Sequence, residues 1–172
     1  MTEGIRLRPV TEPDLDMLDG MFADPAEIGE FNWSGFSDPG KWRRLFAENH
    51  LIADDRTVLM VDVGGTAIGF VSWYRVQTGA SVYVNQFGIS LLSTARGRGH
   101  GAAAQLLLAR YLFAHSPVHR IQAMTEAENL AEQRSLEKAG FVREAVLKEH
   151  IFRDGAWRDE VLYRMLRSEL PG

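Results

Sequence analysis

At 172 residues, 45% hydrophobic and 24% charged, the chain is sized for one globular domain spanning 1–172, with a proper core and no room for a second. A formal net charge of -4 argues against a general nucleic-acid binder, and the absence of cysteine excludes disulfides, a thiol nucleophile and thiolate metal sites. No apolar run approaches the roughly 18 to 20 residues of a membrane span, and Met1-Thr2-Glu3-Gly4 lacks the basic-then-apolar build of a signal peptide, so a cytoplasmic protein with no membrane partner is expected.

Residues 5–10 (IRLRPV) alternate as a half-buried strand does, and Pro9 places that strand at an edge or near its end. Thr11 stands before Glu12, Pro13 and Asp14 and reads as the N-cap of a helix in which Leu15, Leu18, Met21 and Phe22 recur at helical spacing. Residues 23–40 show no clear periodicity. They hold the anchors Phe31, Trp33 and Phe36, and such a loop either lines a site or is pinned to the core by its aromatics. Glu30, Phe31 and Trp33 are the acceptor-binding candidates taken from it. Pro39-Gly40-Lys41-Trp42 opens a further helix to about residue 50.

Residues 57–63, 67–76 and 81–90 read as three strands, joined by the turn signals Gly64-Gly65 and Thr78-Gly79 in an antiparallel meander. Then comes Arg96-Gly97-Arg98-Gly99-His100-Gly101-Ala102, which opens a helix over 101–115. Three glycines in five residues bare the backbone, several amides turn toward one point at a helix N-terminus, and the two arginines add forked cationic donors. That combination suits a diphosphate. A P-loop would need Gly-Lys-Ser/Thr where His100-Gly101-Ala102 stands. A dinucleotide fingerprint fits the spelling Gly97-x-Gly99-x-x-Ala102, with Glu126 and Glu128 downstream, but residues 91–96 intervene between strand and first glycine. Residues 118–124 form another apolar, strand-like run, so strand, helix, strand implies a right-handed parallel crossover here. His115 and His119 are four apart but separated by Ser116-Pro117, and no metal site is expected.

The loop also reads as Arg96-x-x-Gly99-x-Gly101 and is similar to the acyl-CoA motif of the GNAT superfamily of N-acetyltransferases. Residues 129–141 (NLAEQRSLEKAGF) resemble that family's second conserved segment. The tail 152–166, with Asp154-Gly155, Asp159 and Tyr163, resembles the closing hairpin of the branch containing the ribosomal-protein N-terminal acetyltransferases. The resemblance covers residues 81–167 by motif and the first half by layout. It implies an α+β fold: a mixed, mostly antiparallel twisted sheet of about seven strands, splayed at the acyl-CoA site, with about four helices.

The resemblance further implies acetyl transfer from acetyl-CoA to a primary amine, small-molecule or peptide, by direct attack in a ternary complex, in a monomer or homodimer without metal or nucleic acid. By the same resemblance Ile89 and Leu91 offer backbone groups to pantetheine, Leu91 or Leu92 offers an oxyanion N–H, residues 96–102 hold the diphosphate, and Asn129 contacts the pantetheine. Read from the residues alone, Asn129 is also a helix N-cap.

Proton-handling groups depart from the family pattern. Leu136 stands where many members place tyrosine, Glu132 where the ribosomal branch has serine, and Ser135 lies almost one turn further; Ile151 replaces an acidic residue, with Glu149 and His150 beside it. Glu132 and His150 are the catalytic candidates, His150 because its intrinsic pKa suits a base. The missing tyrosine and serine leave a second function class open, a noncatalytic acyl-CoA or nucleotide-binding module on the same fold.

Overall fold

The computed structural model describes residues 4–172; Met1 to Glu3, part of the stretch read against a signal peptide, lie outside them. The described elements are β1 (Ile5–Pro9), α1 (Asp14–Ala23), α2 (Pro25–Ile28), α3 (Lys41–Asn49), β2 (Thr57–Val63), β3 (Thr66–Gly79), β4 (Val82–Leu91), α4 (His100–His115), β5 (Arg120–Glu126), α5 (Leu130–Lys138), β6 (Val142–Arg153) and β7 (Ala156–Leu166). The strands form one sheet in the order β1-β2-β3-β4-β5-β7-β6, with β4 and β5 parallel and every other neighbour antiparallel. The mixed α+β architecture with seven strands is the expected one. Five α-helices replace the expected four, because α2 lies inside the stretch read as irregular. Asp24 caps it by accepting from the Ala26 N–H (2.8 Å), and Pro25 fills its first turn, where a missing N–H is harmless.

Alternation assigns the two faces. Phe87, Ile121, Ala123, Val161 and Tyr163 pack with Ala104, Leu108 and Leu112 of α4 and Leu136 of α5 on one face. Val58, Met60 and Phe70 pack on the other face with Leu15 and Leu18 of α1 and Trp42 of α3. Each fully buried Leu or Phe side chain contributes about 1.5 to 3 kcal/mol relative to exposure, so the helices are held chiefly by these stripes.

Three boundaries differ from expectation. Thr11 does not cap α1 with its hydroxyl; the Asp14 carboxylate instead accepts from the Thr11 N–H (2.8 Å) and hydroxyl (2.7 Å). The same carboxylate takes both terminal nitrogens of Arg8 (2.6 and 2.8 Å), which holds it down at a pKa of about 2. The β3 strand runs through Thr78-Gly79, and β5 begins at Arg120, leaving Val118 buried ahead of it.

Candidate active site

The fold opens between β4 and β5. They pair only at Asn85↔Ile121 and Gln86↔Gln122, while β4 continues to Leu91 and β5 to Glu126. The Leu92 N–H donates to the Ile68 carbonyl (2.9 Å), which fixes the alternation: Ser90 and Leu92 turn their backbone groups to β3, and Ile89 and Leu91 turn theirs into the gap. Ile89 and Leu91 therefore keep backbone groups that β3 does not take up. Leu92 is not an oxyanion donor, because its N–H is already bonded within the sheet.

The strand ends on a short 3-10 turn, Ser93–Ala95, and the glycine loop follows. Gly97 (φ 73) and Gly99 (φ 83) take left-handed conformations that side chains resist, and Gly99 is the N-cap of α4 without a capping side chain. The Ala103 N–H reaches the Gly99 carbonyl (3.3 Å), which leaves the amides of His100, Gly101 and Ala102 ahead of that bond. The buried Nδ1 of His100 also has no partner among the described residues. Arg98 is exposed and forms no ion pair among the described residues. Bare amides, an orphaned ring nitrogen and a free guanidinium together fit a diphosphate.

Two members of the loop serve other ends. Arg96 donates to the Leu91 carbonyl (2.9 Å) and to the Glu27 carbonyl, while the Glu27 carboxylate accepts from the Ser93 N–H (3.2 Å) and hydroxyl (2.9 Å). Arg96 is therefore a clasp between α2 and the end of β4, and not an arm of the cradle. Gly101 is required by helix packing: a Cβ there would stand 2.9 Å from the Ser135 hydroxyl oxygen.

Asn129 accepts from the Glu132 N–H (3.2 Å) as N-cap of α5. The buried Gln105 of α4 then joins both downstream candidates, donating to Glu132 Oε1 (2.6 Å) and accepting from the Ser135 hydroxyl (3.1 Å). Burial pushes the Glu132 carboxyl up to a pKa of about 8, partly offset by the Gln105 hydrogen bond. Leu136 is fully buried, so no side chain at the family's tyrosine position reaches a ligand. Sequence reading missed Gln105. Its signal was a polar residue in the apolar run of α4.

A 650 Å³ cavity opens on the other face, floored by Phe22, Trp42 and Phe70 and reaching Gly88 and Ser90 at the gap. Its wall comes from α3 and the segment after it. Of the loop candidates, Phe31 lies under the Arg153 guanidinium (5.3 Å), Trp33 packs edge-on against Phe36 (5.3 Å), and Glu30 is exposed. None of the three lines the cavity, since the Phe31 and Trp33 rings are spent holding the loop to the β6–β7 hairpin and to the second core; Asn32 from the same loop does.

Beyond the gap, His150 Nδ1 meets the buried carboxylate of Glu160 (Oε2, 2.6 Å). An ionised carboxylate only accepts, so Nδ1 donates to it, and in the neutral ring the lone pair is on Nε2. Glu160 lies opposite Glu126, which grips Arg153 through two hydrogen bonds (2.5 and 2.9 Å). Counting on from Gln86↔Gln122 sets Glu126 level with Ser90 across the opening. At the closed end, Gln122 donates to Gln86 (2.9 Å) and Gln86 to the Tyr74 hydroxyl (2.7 Å). Among the described residues no group of three or more His, Asp or Glu could hold a metal ion, and no helix is long and apolar enough to cross a membrane.

A family model described as acetyltransferase (GNAT) domain matches residues 5–142. The probable N-acetyltransferase YjcK of Bacillus subtilis (strain 168) is 31% identical over 102 residues, 59% of this chain and 56% of that protein, so the match spans little more than half of that relative. Spermidine N-acetyltransferase from Vibrio cholerae, solved in complex with CoA and spermine, has a TM-score of 0.80 at 19% identity, covering 96% of this chain and 97% of that one, a likeness of fold. Mycobacterium smegmatis RimJ, solved in complex with CoA-disulfide, has a TM-score of 0.79 at 25% identity, covering 98% and 84%.

Proposed function

This chain belongs to the acetyltransferase (GNAT) family, and from that premise we propose that it transfers an acetyl group from acetyl-CoA to a primary amine by direct attack in a ternary complex. One observation carries the reading: the gap between β4 and β5 leads on one side to the uncapped start of α4, and on the other to a cavity that meets it at Gly88 and Ser90. A thioester entering from the α4 side and an amine entering from the cavity would meet there.

The diphosphate rests on Gly97, Arg98, Gly99, His100 and the first amides of α4, through Gly101 and Ala102. Ile89 hydrogen-bonds the pantetheine with the backbone groups it turns into the gap, and the Leu91 N–H, on a residue whose carbonyl is already held by Arg96, faces the developing oxyanion. Asn129 has amide donors left over from its capping bond, and Ser135 steadies the α4–α5 wall beside it. The amine nitrogen attacks the thioester carbonyl, the carbon–sulfur bond breaks, and the amine's proton leaves to His150 Nε2, directly or through water. The thiolate takes a proton from Glu132, whose raised pKa keeps it largely protonated at neutral pH.

Mixing the protein with acetyl-CoA and a panel of amines and detecting free thiol tests this. Amine-dependent thiol release is expected, and Gly99→Val, a side chain in a left-handed position, should abolish CoA binding. CoA binding without thiol release from any amine would favour the noncatalytic module; full activity in a folded Gly99→Val protein would refute the cradle.

A further inference from the structure

Gln105 is out of keeping with the core it sits in. Of the buried residues of α4 it alone is polar, the others being Ala102, Ala104, Leu108, Ala109, Leu112 and Phe113, and it is 0% exposed. An apolar side chain would pack there at lower cost, because an amide taken out of water must find partners for both its ends. Both ends are met by one face of α5. Glu132 and Ser135 lie about one turn apart on it: the amide N–H donates to Glu132 Oε1 (2.6 Å), and the amide oxygen accepts from the Ser135 hydroxyl (3.1 Å).

Only this orientation of the amide serves Glu132 in both protonation states. Turned over, the amide oxygen would face Glu132 Oε1, and two acceptors would meet as soon as the carboxyl lost its proton. Held as it is, Oε1 accepts an N–H throughout, so the acidic proton is carried by Oε2, which has no hydrogen bond among the described residues and is not sealed from solvent. No charged neighbour competes. Burial raises the pKa of this carboxyl and Gln105 lowers it, and no charged group of α4 (His100, Arg110, His115), of α5 (Arg134, Glu137, Lys138) or of the strands adds to either effect. We propose that Gln105 is the positioning residue of the proton step: by holding Oε1 it confines the acidic proton of Glu132 to the open Oε2, and it bonds the carboxylate left when that proton has gone. This rests on the reading of Glu132 as the group that returns a proton to the thiolate. The Oε2–H bond breaks, an S–H bond forms, and the negative charge passes from sulfur to the carboxylate facing the Gln105 N–H.

The test uses the full chain labelled with ¹³C at its glutamate carboxyls, the Glu132 signal being the one missing from Glu132→Gln. Its titration is followed by NMR in the wild type and in Gln105→Met, which keeps the length of the side chain and neither bond. With the N–H gone the titration should move up by about half a pH unit or more. In the same variant kcat at neutral pH should fall about tenfold with acetyl-CoA KM unchanged. Ser135→Ala, which releases the amide to turn over, serves as the second variant and should shift the titration the same way by less, even where Gln105→Met fails to fold. An unmoved titration in the folded variants overturns the proposal. So does a raised KM at unchanged kcat, which would make Gln105 a packing residue of the α4–α5 wall. The titration needs no turnover, so a chain that releases no thiol from any amine refutes the acetyl-transfer reading without touching the placement of this proton.

Discussion

Glu132 shows what one residue's surroundings do to its chemistry. Its carboxyl is enclosed between α4 and α5 with Gln105 as its hydrogen-bond partner, and desolvation disfavours the charged form, raising the pKa from the ordinary 4.5 to about 8. Between those values the folded chain binds more protons than the unfolded one, so this group's stabilisation is full below pH 4.5 and is lost as pH rises through 8. Glu132→Gln keeps the shape and cannot ionise. Its stability should match or exceed wild type at pH 8 to 9 and lose that relative advantage toward pH 4, as urea unfolding at several pH values will measure. If Glu132 also returns the proton to the thiolate, Glu132→Gln should lower kcat about a hundredfold with little change in acetyl-CoA KM. His150→Ala should lower kcat by a similar factor, again with little change in acetyl-CoA KM. Near-native kcat in both single variants and in the double would mean that positioning and water suffice. Glu132 was legible as a candidate from its place after Asn129, but its protonation was not, because burial comes from a helix 27 positions back in the chain.

At the scale of elements, α4 and α5 approach closely enough that glycine is required at their contact. Alanine at position 101 would bring its Cβ to 2.9 Å from the Ser135 hydroxyl oxygen, which is itself held by Gln105 (3.1 Å). Gly101→Ala should therefore destabilise the fold by about 1 to 3 kcal/mol, while the double variant with Ser135→Ala recovers most of it, since the remaining Ser135 contact is an ordinary one. Additive losses in thermal unfolding would show that the two residues do not share this contact. The strands were legible because period-two patterning and Gly64-Gly65 are local signals. The short α2 was not, since four residues carry no periodicity. Nor was the role of Arg96, which is set by a carbonyl 69 positions away; the motif spelling assigned it to phosphate, and tertiary position gave it to Glu27.

On the scale of the whole molecule, the sheet is two halves joined by a narrow waist. Two paired positions link β4 to β5, and the Tyr74–Gln86–Gln122 chain crosses the same place. A second tie lies on the far side of the opening, where Arg153 from β6 binds Glu126 at the end of β5 and lies over Phe31 of the N-terminal loop. These two charged side chains are 10% and 3% exposed, so removing Arg153 leaves Glu126 unpaired in a poorly solvated place. Arg153→Met should cost about 3 to 5 kcal/mol, and adding Glu126→Met should restore much of the loss by removing the stranded charge. If the amine enters from the side proposed, opposite the diphosphate loop, the double variant should raise the amine KM while leaving CoA affinity near wild type. Unfolding curves together with CoA and amine titrations will separate these effects. Equal loss of both affinities would mean that Arg153 holds the two halves of the sheet in register as a unit and does not shape the amine side alone.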